Sequence, residues 1–188
     1  MLQKKRIIIT AGEPASISTE ITVKSLINYK FSNEVEIISI TDPSLIENFC
    51  SQSNLSLKIN ILSAKKKFVD YKYGFINVIP IKVKKKSSPG VLEIENCKFV
   101  EQSIINAIKL FNQKFANAIV TNPINKFIMK KNGFKFNGHT EFLGSQSKIK
   151  KNPIMLLHSK NLNVVPITTH IPIKEVSKKI TQKTLIKK

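Results

Sequence analysis

Few of the marks by which a sequence declares its chemistry are present in this chain. It has only two cysteines, Cys50 and Cys97, and they make no metal-type spacing. Free thiols in a reducing, cytoplasmic setting are the simpler expectation. No apolar run approaches the roughly 20 residues that cross a bilayer, so no membrane partner is expected. Lys4-Lys5-Arg6 before Ile7-Ile8-Ile9 resembles a signal peptide only faintly; the apolar stretch is short and Gly12-Glu13-Pro14 interrupts it. There is no G-x-G-x-x-G fingerprint, no P-loop, no G-x-S-x-G elbow and no C-x-x-C pair. Internal repeats and coiled-coil heptads are also missing.

Arginine is nearly absent. Of 31 basic residues only Arg6 is arginine, although the formal net charge is +19. Base-edge readout in nucleic-acid complexes leans heavily on arginine. The lysines are scattered, with short runs at Lys65–Lys67 and Lys84–Lys86, and they accompany an excess of Ile and Asn, as an AT-rich coding sequence produces. A solvated lysine surface is therefore expected rather than a nucleic-acid site. Such a surface would still steer anionic, phosphorylated substrates toward the protein.

What the chain does contain is an alternation of apolar segments. With 188 residues, 41% of them apolar, it is long enough to bury a real core. Arg6–Thr10 reads as a buried strand and a helix follows from near Thr19. Val35–Ile40 is a second strand, and Asp42-Pro43 is a helix start with Asp as cap and Pro at the first position. Lys58–Leu62 and Asn77–Val83 are further strands, with a lysine-rich loop or hairpin between them. After the Ser87–Gly90 turn, Val100, Ile104, Ala107, Ile108 and Phe111 fall on one face of a helix spanning about Asn96 to Lys114. Ala118–Thr121 reads as a buried strand, Asn122-Pro123 as a helix start and Gly133 as its stop. Ile154–His158 and Asn163–Thr168 read as strands, and Pro172 opens a last helix through Ile173, Val176 and Ile180. This helix reaches Lys187-Lys188 with no stop signal, which suggests an incomplete gene product.

Strands alternating with helices predict an α/β sandwich, largely parallel. The expected division is a first α/β domain over residues 1–135 and the start of a second, truncated one over 136–188. In open sheets of this kind, ligands bind beyond the carboxyl ends of the strands. The conspicuous residues fall there: Gly12–Glu20, Thr121–Lys126, His139–Glu141 and Thr168–His170.

Two of the three histidines, His139 and His170, stand at strand-to-helix turns. His170 is either a metal ligand or a histidine closing a strand, and a catalytic divalent site needs about three protein ligands. His139 precedes Thr140, read as a helix cap; the pair either holds a phosphate or hydroxyl at the helix start or is an ordinary capped helix. Lys126 is either an anion or proton-transfer residue or one surface lysine among many. His158, ending an apolar run, has the weaker claim.

In order along the chain, Gly12-Glu13-Pro14-Ala15-Ser16-Ile17-Ser18-Thr19-Glu20, Thr121 to Lys126, Gly138-His139-Thr140-Glu141-Phe142 and Thr168-Thr169-His170-Ile171-Pro172-Ile173 resemble the motifs of the 4-hydroxythreonine-4-phosphate dehydrogenase family. The last two motifs are intact, and the resemblance runs from about Lys5 to Ile186. It implies two α/β/α domains similar to isocitrate and isopropylmalate dehydrogenases, in a homodimer. It also implies oxidation of 4-phosphooxy-L-threonine with NAD or NADP and a divalent metal (Zn, Mg or Co). Decarboxylation then yields 3-amino-2-oxopropyl phosphate, on the route to pyridoxine 5'-phosphate and pyridoxal phosphate. By position, His170 would be a metal ligand, His139 and Thr140 substrate contacts, and Lys126 part of a motif of weaker role.

Two departures accompany the resemblance. The family's G-I-G-P stands here as Ser16-Ile17-Ser18-Thr19. A glycine that needs positive φ would make serine cost about 1 kcal/mol and distort the loop. The family chain is also much longer, with two further metal histidines, its phosphate-contacting residues and most of its nucleotide site in a carboxyl-terminal half. The competing readings are a dehydrogenase of related sugar acids such as phosphothreonate or phosphoerythronate, and a non-catalytic remnant.

Overall fold

A computed structural model of the chain describes residues 5–62, 72–147 and 153–187. The chain divides into two compact units, residues 1–136 and 137–188.

The first unit is built on strands β1 (Lys5–Thr10), β2 (Val35–Thr41), β3 (Lys58–Ile61), β4 (Phe75–Pro80) and β5 (Ala118–Val120). They form one parallel sheet in the order β3-β4-β2-β1-β5. Between them run helices α1 (Ser18–Asn28), α2 (Pro43–Gln52) and α3 (Cys97–Asn112), and α4 (Lys126–Lys131) follows β5. Strand β2 is central, and its continuous apolar-rich sequence VEIISIT is buried on both faces, as a strand covered by helices on each side requires.

The strand period of two sends Ile37 to one face, where Val23 and Leu26 of α1 and Ile46 and Cys50 of α2 cover it. Ile8 and Ile40 go to the other face, under Ala107 and Leu110 of α3. The α3 stripe differs from its expected face by one residue at the end. Leu110 is buried, whereas Phe111 is 43% exposed, because the chain turns back at Lys114–Phe115 before the helix can present Phe111 to the sheet.

Arg6 and Glu36 are opposite one another across β1 and β2. Their side chains pair at 2.5 Å, with Glu36 fully buried. The Arg6 guanidinium also lies 3.8 Å over the Phe115 ring and donates to the Phe115 carbonyl at 3.0 Å. The chain's one arginine is thus a core residue of this unit.

Asp42 caps α2 as expected, accepting the Ser44 amide at 3.0 Å. Two other expectations are corrected. Strand β5 is not buried: Val120 is 50% exposed, because β5 is an edge of the sheet among the described strands. Asn122-Pro123 does not start a helix. Asn122 is turned inward and donates to Thr22 Oγ1 at 2.8 Å, so it cannot cap. The cap of α4 is Asn125, whose Oδ1 accepts the Phe127 and Ile128 amides at 3.1 Å. The Lys65–Lys67 loop or hairpin lies outside the described residues.

The second unit contains α5 (His139–Gln146), β6 (Leu157–His158), β7 (Asn163–Val164), α6 (Ile173–Lys179) and α7 (Gln182–Lys187). The two expected strands shorten to a two-residue antiparallel ribbon. The single last helix is also corrected, since it breaks at Ile180–Thr181 into α6 and α7, where Thr184 Oγ1 accepts the Thr181 amide as a fresh cap. Leu156, Leu157, Leu162 and Val164 are each more than 40% exposed, so the ribbon buries little apolar surface by itself. No helix of the described residues is long and apolar enough to cross a membrane.

Candidate functional site

Two of the segments singled out in the sequence meet at the carboxyl ends of the strands of the first unit. The loop after β1 approaches the segment after β5 so closely that Gly12 has no room for a side chain. A Cβ there would lie 2.2 Å from both the Pro123 carbonyl and Ser18 Oγ. The Pro123 carbonyl accepts from the Glu13 amide and from Ser18 Oγ, each at 3.0 Å. Ser103 of α3 anchors the same corner: its hydroxyl donates to the Ile40 carbonyl and accepts the Ala11 amide, both at 2.7 Å.

Ser16 and Ser18 do not spoil this loop. Neither has a positive φ. Their hydroxyls lie 2.9 Å apart, and Ser16 Oγ also donates to the Glu13 carbonyl at 2.9 Å. The expectation of a strained loop is therefore corrected. The two serines replace backbone freedom with side-chain hydrogen bonds that tie the loop to itself and to Pro123.

Glu13, which sequence reasoning passed over, is 1% exposed inside this corner. Its Oε1 accepts the Ala15 amide at 3.2 Å, while Oε2 has no hydrogen-bond partner. Burial raises its pKa above the ordinary carboxylate value, and the Ala15 amide opposes that in part. Cys97 is raised as well, first by its own burial and then by the charge of Glu13; Cys50 is raised by burial. Both thiols are buried and free.

A raised carboxyl has a definite effect on stability. The folded state holds the Glu13 proton to higher pH than the unfolded chain does. The contribution is full below about pH 4.5, the ordinary value, and is lost as pH rises through the folded pKa. Glu13→Gln is expected to flatten the fall in urea midpoint between about pH 4.5 and 7. Parallel pH profiles for the two proteins would mean that Glu13 ionises in the fold as it does in water.

Lys126 is the first residue of α4 and is exposed, with no hydrogen bond or ion pair among the described residues. The remaining candidates belong to the second unit. His139 and Thr140 are the first two residues of α5, both half-buried. Thr140 is not the cap, because Gly138 occupies that position in extended backbone and no side chain caps the helix. The first-turn amides of α5 are accordingly left to other acceptors. His158 Nδ1 pairs with Asn163 Oδ1 at 2.5 Å across the β6–β7 ribbon, a structural use of that histidine.

His170 is exposed in the loop before α6, with φ 57°. Two other non-glycine residues have positive φ, Asn54 and Lys114. Each lies just past the end of a helix, where Leu55 and Phe115 amides bond back to the Cys50 and Leu110 carbonyls. Left-handed backbone is the ordinary way to end a helix. His170 ends no helix, so its conformation has no such cause. Residues held in this region without a local reason cluster at functional sites.

Among the described residues, no three His, Cys, Asp or Glu side chains lie close enough to hold a metal ion. His170 therefore has at most part of a divalent site within these residues, and the donor set present does not by itself fit the metal.

The family model described as pyridoxal phosphate biosynthetic protein PdxA matches residues 33–188. A 4-hydroxythreonine-4-phosphate dehydrogenase of Wigglesworthia glossinidia brevipalpis is 36% identical over 184 residues, 97% of this chain and 54% of the relative. The crystal structure of the Klebsiella pneumoniae 4-hydroxythreonine-4-phosphate dehydrogenase superimposes with a TM-score of 0.84 at 25% identity, over 97% of this chain and 56% of that one. That of the Burkholderia phymatum enzyme gives 0.84 at 27% identity, over 96% and 55%. The chain spans about half the length of the curated relatives that it matches.

Proposed function

Because the chain belongs to the PdxA family of pyridoxal phosphate biosynthetic proteins, we propose that it supplies the amino-terminal portion of an NAD- or NADP-linked dehydrogenase. The substrate of the assembled enzyme is 4-phosphooxy-L-threonine. Oxidation of its C3 hydroxyl and loss of carbon dioxide give 3-amino-2-oxopropyl phosphate. The observation that carries this reading is the pair of unbroken motifs at Gly138–Phe142 and Thr168–Ile173, the second of which holds His170 in left-handed backbone with no helix end to account for it.

Each residue has a role in that reading. His139 and Thr140, at the uncapped start of α5, hold the phosphorylated substrate, with the helix amides available to an anion. His170 is offered as one ligand of a divalent metal, whose other ligands these residues do not supply. Lys126 is offered as a cationic contact at the end of β5. The lysine-rich surface draws the anionic substrate toward the site. The assembled enzyme works as a homodimer, as the family resemblance implies.

The test is to join residues 1–188 to the remaining portion of the Wigglesworthia relative and follow nicotinamide reduction. The fusion is expected to reduce NAD or NADP with 4-phosphooxy-L-threonine, and the 188-residue chain alone is expected not to. A folded fusion that is inert, beside an active parent relative, would support a non-catalytic remnant. Preference for phosphothreonate or phosphoerythronate would move the substrate assignment to the related sugar acids.

A further inference from the structure

We propose that the groove between α1 and α2 is a binding site for a nucleoside phosphate. The groove has a volume of about 670 Å³ and lies wholly in the first unit, beyond the carboxyl ends of β1, β2 and β4. That is the size of a small-molecule site, several times what a free phosphate needs. None of the residues assigned above to substrate or metal lines it, so the proposal stands apart from that reading.

Its outer wall is a built structure. The loop after β4 has no regular hydrogen bonding of its own, yet buried side chains pin it at several points. Asn96 is fully buried and spends its whole amide on this loop. Its Oδ1 accepts the Lys84 and Lys85 amides at 3.1 and 2.9 Å, and its Nδ2 donates to the Lys85 carbonyl and to Ser87 Oγ at 2.7 and 2.8 Å. Asp42 Oδ2 accepts the Val83 amide at 2.9 Å. The Gly90 amide donates to the Ala15 carbonyl at 2.8 Å, joining the loop to the opposite side of the groove. A surface loop held so fully presents Lys86 and Ser87 in fixed positions at the groove.

The local charges leave one cation unspent. Glu20 is paired with Lys24 at 2.5 Å and Glu93 with Lys85 at 2.7 Å. Asp42 is occupied by two backbone amides. Lys86 has no such partner among the described residues. Ser87 Oγ accepts from Asn96, which leaves its own proton to donate to a ligand. Lys86 and Ser87 together suit a phosphate oxygen. The rest of the lining matches the remainder of a nucleotide. Thr19 and Asn48 offer hydrogen bonds for sugar hydroxyls, and Ile17 (56% exposed) and Phe49 offer apolar surface for a planar ring.

The experiment titrates the purified 188-residue chain with AMP, NAD⁺, adenosine and inorganic phosphate by calorimetry, with amide NMR shifts to locate binding. AMP or NAD⁺ is expected to bind at least about tenfold more tightly than adenosine or phosphate, one factor of ten being about 1.4 kcal/mol. Shifts are expected at Thr19, Asn48 and Lys86–Ser87. Lys86→Glu is expected to weaken binding at least about tenfold, while Lys109→Glu on α3, across the sheet, leaves it unchanged. AMP and NAD⁺ separate a mononucleotide from a dinucleotide, and either result supports the site. Equal affinity for AMP and phosphate, or equal losses from Lys86→Glu and Lys109→Glu, would mean only a diffuse lysine surface and would overturn it. So would no binding at all.

Discussion

Arg6→Ala is expected to destabilise the first unit by about 3–5 kcal/mol, the usual cost of stranding one member of a buried ion pair. Glu36 is fully buried, and Arg6 is its partner at 2.5 Å. Removing the guanidinium leaves a carboxylate in the core, uncovers the Phe115 carbonyl and removes the cation stacked on the Phe115 ring. Arg6→Lys should recover only part of the loss, because an ammonium cannot serve the carboxylate, the carbonyl and the ring from one plane. The pair as a whole is another matter. Arg6→Met combined with Glu36→Leu is expected to lie within about 1 kcal/mol of the parent, since well-packed apolar residues often replace a buried pair at little cost. Urea unfolding followed by circular dichroism decides it. A loss below about 1 kcal/mol for Arg6→Ala would mean that water reaches Glu36 once the guanidinium is gone.

His170 offers the second large effect, and here function and stability should move in opposite directions. With φ 57° and no helix end to justify it, the His170 backbone costs about 1–2 kcal/mol relative to glycine. His170→Gly is expected to raise the stability of the chain by about that amount, and His170→Ala, which keeps a Cβ, to leave it nearly unchanged. In the fusion with the Wigglesworthia portion, both substitutions are expected to lower turnover by more than about 100-fold, because even residues behind a metal ligand cost 10–100-fold. Stability gained with turnover retained would make His170 a loop residue with no part in the chemistry. Stability lost in His170→Gly would mean that the imidazole itself holds the loop.

These effects show where sequence and structure part. The strand order along the chain, the parallel sheet, the Asp42 cap and the two histidine motifs could all be read from residues a few positions apart. Hydrophobic period, caps and turn chemistry act within one or two helical turns, so a single sequence carries them openly. The candidate histidines were legible for the same reason, as intact short motifs. Other features depend on a partner far along the chain. Asn122 looks like a helix cap until Thr22, 100 residues away, takes its amide. Ser16 and Ser18 look like damage to a glycine loop until the Pro123 carbonyl arrives to accept from Ser18. Nothing near Glu13, Asn96 or Lys86 in sequence says that one is buried, one pins a loop and one is left without a counter-charge.

By itself, then, the sequence determined the α/β alternation, the parallel sheet and the family, because each is written in local patterns and short motifs. Only the tertiary structure decided which polar groups are buried, which are satisfied and which face a groove. A hydrogen bond or a desolvated charge is a property of two groups brought together in space, and their meeting depends on the packing of the whole unit.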